Sequence, residues 1–152
     1  MNENDLQILV EQISLKNFHR PFSHKVKINK RMRTTGGRYF LQDHHIEVNE
    51  HFLDEKYHED LIGIIKHELT HYHLHLAGKG YRHRDADFKN LLKQVGGSRY
   101  TPDIGLRRRP KIKYLYQCQD CHLLYPRVRR IDTRRYRCGK CHGPLNLIEK
   151  SY

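Results

Sequence analysis

The sequence predicts an α+β body followed by a small four-cysteine ribbon. Three observations carry that expectation. Apolar residues recur at helical spacing in three stretches, with a short alternating region between the first and second. An H-E-x-x-H run, His67-Glu68-Leu69-Thr70-His71, lies inside the second helical stretch. The only four cysteines of the 152 residues fall near the end of the chain as two C-x-x-C pairs.

Taken in order, Leu6, Leu9, Val10, Ile13 and Phe18 predict an amphipathic helix over 3–18, stopped by Pro21. Val26 and Ile28 alternate with Lys25, Lys27 and Asn29, a strand pattern. Thr34-Thr35-Gly36-Gly37 reads as a turn, and Tyr39, Leu41, Ile46 and Val48 as returning strands, so a small antiparallel meander ends at Asn49. Asp54, Glu55, Glu59 and Asp60 precede Leu61, as acidic groups do at the positive end of a helix. Leu61, Ile65, Leu69, Tyr72 and Leu76 give that helix a core face, and Gly78 and Gly80 end it. A packing helix over Arg84–Val95 buries Phe88, Leu91, Leu92 and Val95, and Gly96-Gly97 closes it. The body is thus expected over 1–97. A basic linker over 98–113 carries Arg107, Arg108, Arg109, Lys111 and Lys113, and the ribbon occupies 114–152.

On a helix, His67 and His71 lie on one face about 6 Å apart along the axis, so both imidazoles can hold one zinc ion. Glu68, rotated about 100° from His67, can act as general base on a metal-bound water. This is the metalloprotease arrangement. A catalytic zinc needs a third protein ligand. Leu74 stands where the extended H-E-x-x-H-x-x-G-x-x-H pattern has glycine, and the only glutamate after His71 is Glu149. The candidates nearby are His73, His75, His83, Asp85 and Asp87. His73 points to another face, and His75 lies about 12 Å along the axis from His67, too far to share its ion. Both read as surface or supporting residues. His83, beyond the glycine break, is favoured as third ligand, with Asp87 as the fallback.

Cys118-x-x-Cys121 and Cys138-x-x-Cys141 are separated by 16 residues, the spacing of a structural four-thiolate zinc site. Gly139 suits the second knuckle, and Tyr116, Leu124, Tyr125, Val128 and Tyr136 are available for short strands and a thin core. So small a segment depends on metal for folding. The formal net charge of +12 is uneven. Residues 1–97 hold 15 Lys/Arg against 13 Asp/Glu, whereas residues 98–152 hold 14 against 4. Arg127, Arg129, Arg130, Arg134, Arg135 and Arg137 are interleaved with Tyr125 and Tyr136, which suits phosphates and bases. With Arg107, Arg108 and Arg109 they are the candidate nucleic-acid contacts. The N-terminus shows no signal-peptide pattern and no apolar run approaches a membrane span. A cytoplasmic protein with reduced thiols and no membrane partner is therefore expected.

The order Thr35-Gly36-Gly37, Ile46-x-Val48-Asn49, His67-Glu68-Leu69-Thr70-His71-Tyr72-His73-Leu74, His83 and Phe88, followed by the paired C-x-x-C ribbon, resembles the SprT-like family over roughly residues 3–148. The resemblance implies a compact zincin-like body with metal ligands at His67, His71 and His83 and a catalytic acid/base at Glu68. Phe88 stands five residues after His83, where the Spartan pattern has its aromatic four after the third histidine. The related Spartan proteases cleave DNA-crosslinked proteins and are switched on by DNA. The expectation is then a zinc-dependent metallopeptidase with one catalytic and one structural Zn2+, a protein substrate and DNA as partner. The alternative is a zinc-dependent nucleic-acid-binding or regulatory protein whose body turns over little or nothing.

Overall fold

The computed structural model describes residues 1–107 and 110–150. The chain divides into two compact units, Met1–Arg107 and Arg108–Tyr152.

In the first unit, α1 spans Glu3–Ile13 and starts from a capping box: Asp5 N–H donates to Asn2 Oδ1 (2.8 Å) and Asn2 N–H to Asp5 Oδ2 (3.2 Å). Leu6, Val10 and Ile13 are its buried face. Its end widens into a π-helical turn, Ser14–Phe18, which His19 closes in the left-handed region at φ 56. Pro21 lies beyond that close, so the expected helix and its stop are both found. Ser14, fully buried, shows why the wide turn persists. Its hydroxyl donates to the Arg20 carbonyl (2.6 Å), so its oxygen accepts from Nε2–H of His73 (2.7 Å). His73 is therefore a buried structural histidine rather than a surface one. Burial holds its pKa down at about 4, and the Arg20 charge adds to this.

Three short strands follow: β1 (Val26–Asn29), β2 (Gly37–Tyr39) and β3 (Ile46–Asn49). Their spatial order is β1-β3-β2. β2 and β3 are antiparallel, but β1 runs parallel to β3, with Val26 opposite Ile46 and Ile28 opposite Val48. The sheet is mixed, and the expected antiparallel meander is corrected on this point. The most deeply buried strand takes the centre: Ile46 and Val48 are fully covered. Residues 30–36 therefore cross the end of β3 instead of turning back beside β1. Buried Asn49 pins that crossing. Its side-chain amide donates to Thr35 O (2.9 Å) and Arg33 O (3.3 Å), and its backbone N–H donates to Gly36 O (2.9 Å). Gly36 and Gly37 serve close approach rather than a hairpin turn. A Cβ on Gly36 would sit 2.7 Å from Cδ1 of Ile64, and one on Gly37 would sit 3.0 Å from Cγ of Glu68.

Helix α2 (His58–Leu76) packs along this sheet through Leu61, Ile64, Ile65, Leu69 and Tyr72, which share one core with Leu6, Val10, Val26, Ile46, Val48 and Phe52. Leu76, expected in the core, is 48% exposed. The helix outruns the sheet there, and Leu74 instead joins a second small cluster with Phe88 and Leu92 of α3 (Ala86–Val95). Gly96 at φ 72 closes α3, with Gly97 N–H donating to Leu92 O (3.0 Å). The chain does not leave the body at residue 97. Ser98 N–H donates to Gly63 O (3.1 Å), Thr101 Oγ1 accepts from Gly36 N–H (3.1 Å), and Ile104 packs on the main core. The expected linker over 98–113 therefore overlaps the body as far as Arg107.

The second unit is an antiparallel sheet of β4 (Tyr114–Cys118), β5 (Leu124–Arg127) and β6 (Leu145–Lys150), in the order β5-β4-β6. Its core is Cys118, Cys138 and Leu145, with Cys121, Tyr125 and Ile131 against them and Tyr116 also buried. Leu124 lies in β5, one of the expected short strands, but it, Val128 and Tyr136 stay exposed and do not join the core. Among the described residues, no helix is long and apolar enough to cross a membrane.

Replacing Ser14 with alanine leaves the His73 ring N–H and the Arg20 carbonyl without this partner. A loss of about 1–3 kcal/mol in unfolding free energy is expected from urea titration.

Candidate metal centre and cleft

Two clusters of metal-ligating side chains stand out among the described residues: His67, His71 and His83 in the first unit, and the four cysteines in the second. Each unit forms its own site.

In the first unit, α2 carries His67, Glu68 and His71, and the loop after α2 brings His83 over them. Nε2 of His83 lies 2.9 Å from Nε2 of His67 and 3.0 Å from Nε2 of His71. The opposite ring nitrogens are committed elsewhere. Nδ1 of His67 donates to Ser98 O (2.7 Å), and Nδ1 of His71 donates to Tyr81 O (2.5 Å). A carbonyl only accepts, so each Nδ1 carries the proton. Burial keeps both rings neutral, holding His67 below its ordinary pKa and His71 down at about 4. Their Nε2 atoms therefore present lone pairs to one point. At most one proton, on His83, can lie among three nitrogens. This donor set suits a cation, and carbonyl-oriented imidazoles are the usual support of histidine-ligated metals. Tetrahedral zinc would hold such nitrogens about 3.3 Å apart, close to what is seen.

The loop that carries His83 is tied down by aspartates. Gly80 N–H donates to Asp87 Oδ2 (3.0 Å) and Arg82 N–H to Asp85 Oδ2 (3.0 Å). Asp87, the fallback ligand, thus braces the loop while His83 joins the cluster. Phe88 packs against all three imidazoles, with centroids 5.2, 4.3 and 5.1 Å from His67, His71 and His83. His75 stands apart, its Nδ1 on the Tyr39 hydroxyl (2.6 Å), which also meets Nδ1 of His44 (2.7 Å).

Glu68 is 6% exposed on the wall of a cleft of about 540 Å3 between β2, α2 and the 98–101 loop. Burial pushes its carboxyl up to about 8, against the opposing pull of the Arg38 charge and the Tyr39 backbone N–H. A second groove of about 580 Å3 runs along α3 and shares His67, His83, Arg99 and Tyr100 with the first. The sequence reading missed Ser98, Tyr81, Arg99 and Tyr100. Ser98 and Tyr81 act through backbone carbonyls, which leave no residue-type signature. Arg99 lay in what read as a linker.

In the ribbon, Sγ of Cys118 lies 3.3 Å from that of Cys141, and Sγ of Cys121 lies 3.6 Å from that of Cys138. These contacts are far longer than a disulfide bond of about 2.05 Å. All four sulfurs lie within 4.8 Å of one another. The knuckles match. His122 and His142 each return an N–H to Cys118 O (3.0 Å) and Cys138 O (2.8 Å), both at positive φ. Gly139 has open space about it, whereas a Cβ on Gly143 would come 2.9 Å from Cys118 Sγ. Gly143 is the glycine the cluster requires. The Tyr125 hydroxyl, 3.1 Å from Cys138 Sγ, is the largest influence holding that thiol down at about 6, which favours the thiolate a metal needs. Arg107, Arg127, Arg129, Arg130, Arg134, Arg135 and Arg137 are all exposed, while Arg108 and Arg109 lie outside the described residues. Arg127 stacks on Tyr125 and Arg135 on Tyr136.

Gly63 faces Ser98 so closely that a Cβ would fall 2.0 Å from Ser98 Oγ. Gly63→Ala should push Ser98 off α2, free the His67 ring and lower metal affinity by about 10–100-fold in a chelator competition. Cys118→Ser should remove one metal equivalent and unfold the ribbon, seen as loss of its dispersed amide NMR signals, while the first unit keeps its metal.

The family model described as the SprT-like family matches residues 6–109, and the one described as the SprT-like zinc ribbon domain matches residues 113–149. "Protein SprT-like" of Lactiplantibacillus plantarum is 55% identical over 148 residues, covering 97% of this chain and 100% of that one. "Protein SprT-like" of Bacillus cereus (strain 03BB102) is 50% identical over 151 residues, covering 99% of each. A crystal structure of the metallopeptidase zymogen of Pyrococcus abyssi abylysin is more distant. It shows 19% identity and a TM-score of 0.44, covering 64% of this chain and 83% of that one. With family models matching both units and relatives at half identity or more along nearly its whole length, the chain belongs to the SprT-like family.

Proposed function

We propose that the chain is a zinc-dependent metallopeptidase acting on DNA-associated or DNA-crosslinked proteins, with a second, structural zinc in the ribbon. One observation carries the reading: two neutral imidazoles aim their lone pairs at a single point with His83 beside it, on the wall of an open cleft that also holds a buried carboxyl. Zinc held there supplies Lewis acidity to the scissile carbonyl and lowers the pKa of water.

The chain's own residues supply the rest. Glu68 removes a proton from the attacking water and returns it to the leaving amine. Its apolar setting raises its basicity, and positive charge beside it favours the carboxylate that accepts the proton. Ser98 O and Tyr81 O keep His67 and His71 in the right tautomer. Phe88 limits the tilt of all three rings. In the ribbon, exposed arginines beside Tyr125 and Tyr136 suit a polyanion with bases to stack, and tethering there raises the local concentration of bound substrates.

Glu68→Gln is expected to keep the fold and both metal equivalents while abolishing cleavage of a DNA-bound protein, a fall of at least about 100-fold. Equal cleavage by both proteins would sink the mechanism. Intact nucleic-acid binding with no turnover by the wild type would favour a regulatory protein instead.

A further inference from the structure

The two grooves that meet at the histidine triad share an electrostatic property. Among the described residues that line them, the only acid is Glu68, whose side chain is buried. The other ionised side chains are all cations: Arg38 and Arg82 in the first groove, Lys89 and Lys93 in the second, and Arg99 in both. No ion pair involving any of these five occurs among the described residues. Lys89 and Lys93 stand one turn apart on α3 and are exposed. Below them, buried Phe88 and Leu92 give the groove an apolar floor. Tyr100, 76% exposed, stands at the junction of the grooves with the Arg99 guanidinium over its ring.

The body as a whole does not impose this. Residues 1–97 are close to charge balance, with 15 basic and 13 acidic side chains, yet the carboxylates are kept out of the groove linings. Asp85 and Asp87, the acids nearest in sequence, are turned to the backbone of the 80–82 loop.

Resting on the peptidase reading, we infer that these grooves are a substrate-selecting site for acidic polypeptide segments. Carboxylate side chains next to the scissile bond would sit against Lys89, Lys93 and Arg99, with their methylenes on Phe88 and Leu92. The occupant is taken to be polypeptide because the grooves converge on the triad where the reacting bond must lie. A polynucleotide in the same place would displace the substrate. Opposite charge at a groove that excludes like charge sets specificity more than affinity. The same field disfavours the strongly basic segments common in polyanion-binding proteins and directs cutting to their acidic stretches.

The test uses the full-length metal-loaded protein and a set of fluorogenic peptides differing only in the residues flanking one bond: Glu/Asp, Ala/Ser or Lys/Arg. The acidic peptides should exceed the basic ones in kcat/KM by about tenfold or more, and the gap should shrink at high salt. Lys89→Glu/Lys93→Glu should invert the order with metal content and circular dichroism unchanged. A second readout does not need turnover. Glu68→Gln should bind the acidic peptide more tightly than the basic one by fluorescence anisotropy, and the added charge reversal should remove the difference. Equal rates and equal binding across the set would overturn the inference. So would a single-stranded oligonucleotide that displaces the acidic peptide and loses its own affinity on charge reversal, since that assigns the grooves to nucleic acid. If no peptide is cut by the wild type, the peptidase reading fails while the anisotropy arm still decides the site.

Discussion

Two hydrogen bonds from imidazole to backbone, His67 to Ser98 O and His71 to Tyr81 O, are the constraint on which the first site depends. Each fixes a tautomer, and each places a lone pair where His83 can meet it. Without them the rings could rotate, and burial alone would leave two neutral histidines with no common direction. The carbonyls come from segments on either side of α3, so the geometry of two irregular stretches is written into the orientation of two side chains on one regular helix.

Those stretches are held by contacts that have little to do with metal. Ser98 lies close against α2 at Gly63, where an added Cβ would crowd its side chain. The 80–83 loop returns to α2 because Asp85 and Asp87 accept its backbone N–H groups. Gly36 and Gly37 let β2 approach Ile64 and Glu68, which forms one wall of the cleft and buries the carboxyl. Asn49 ties the crossing that puts β2 on that side of β3. The buried polar groups Ser14 and His73 bond to each other, and no buried side-chain nitrogen or oxygen among the described residues lacks a partner.

The ribbon reaches order by a different route. Its sheet covers little, and leucines and tyrosines that would line a larger core remain at its surface. Four sulfurs, held by two matched knuckles and a tyrosine hydroxyl, take the place of packed apolar volume. Its exposed arginines can then face outward without competing with a core, a division of labour that the charge split along the chain already suggests.

The sequence by itself determined what is local. Periodicity located the three α-helices of the body, because a 3.6-residue pattern and capping residues act within one turn or two. Spacing identified His67, Glu68 and His71 and both cysteine pairs, because i, i+4 geometry and a knuckle are local as well. His83 came from elimination and family resemblance. Only the tertiary structure decided what depends on distant partners. The pairing of β1 with β3 follows from which strand is most buried, and alternation within a strand says nothing of its neighbours. Whether His73 was a surface or a supporting residue stayed open until Ser14, 59 residues away, was seen to accept its ring N–H. Ser98 and Tyr81 act through carbonyls that every residue possesses, so only the folded backbone could reveal them. The cation-lined grooves are likewise assembled from β2, the 80–83 loop, α3 and the segment after it, four pieces whose charges are unremarkable until the fold turns them to one place.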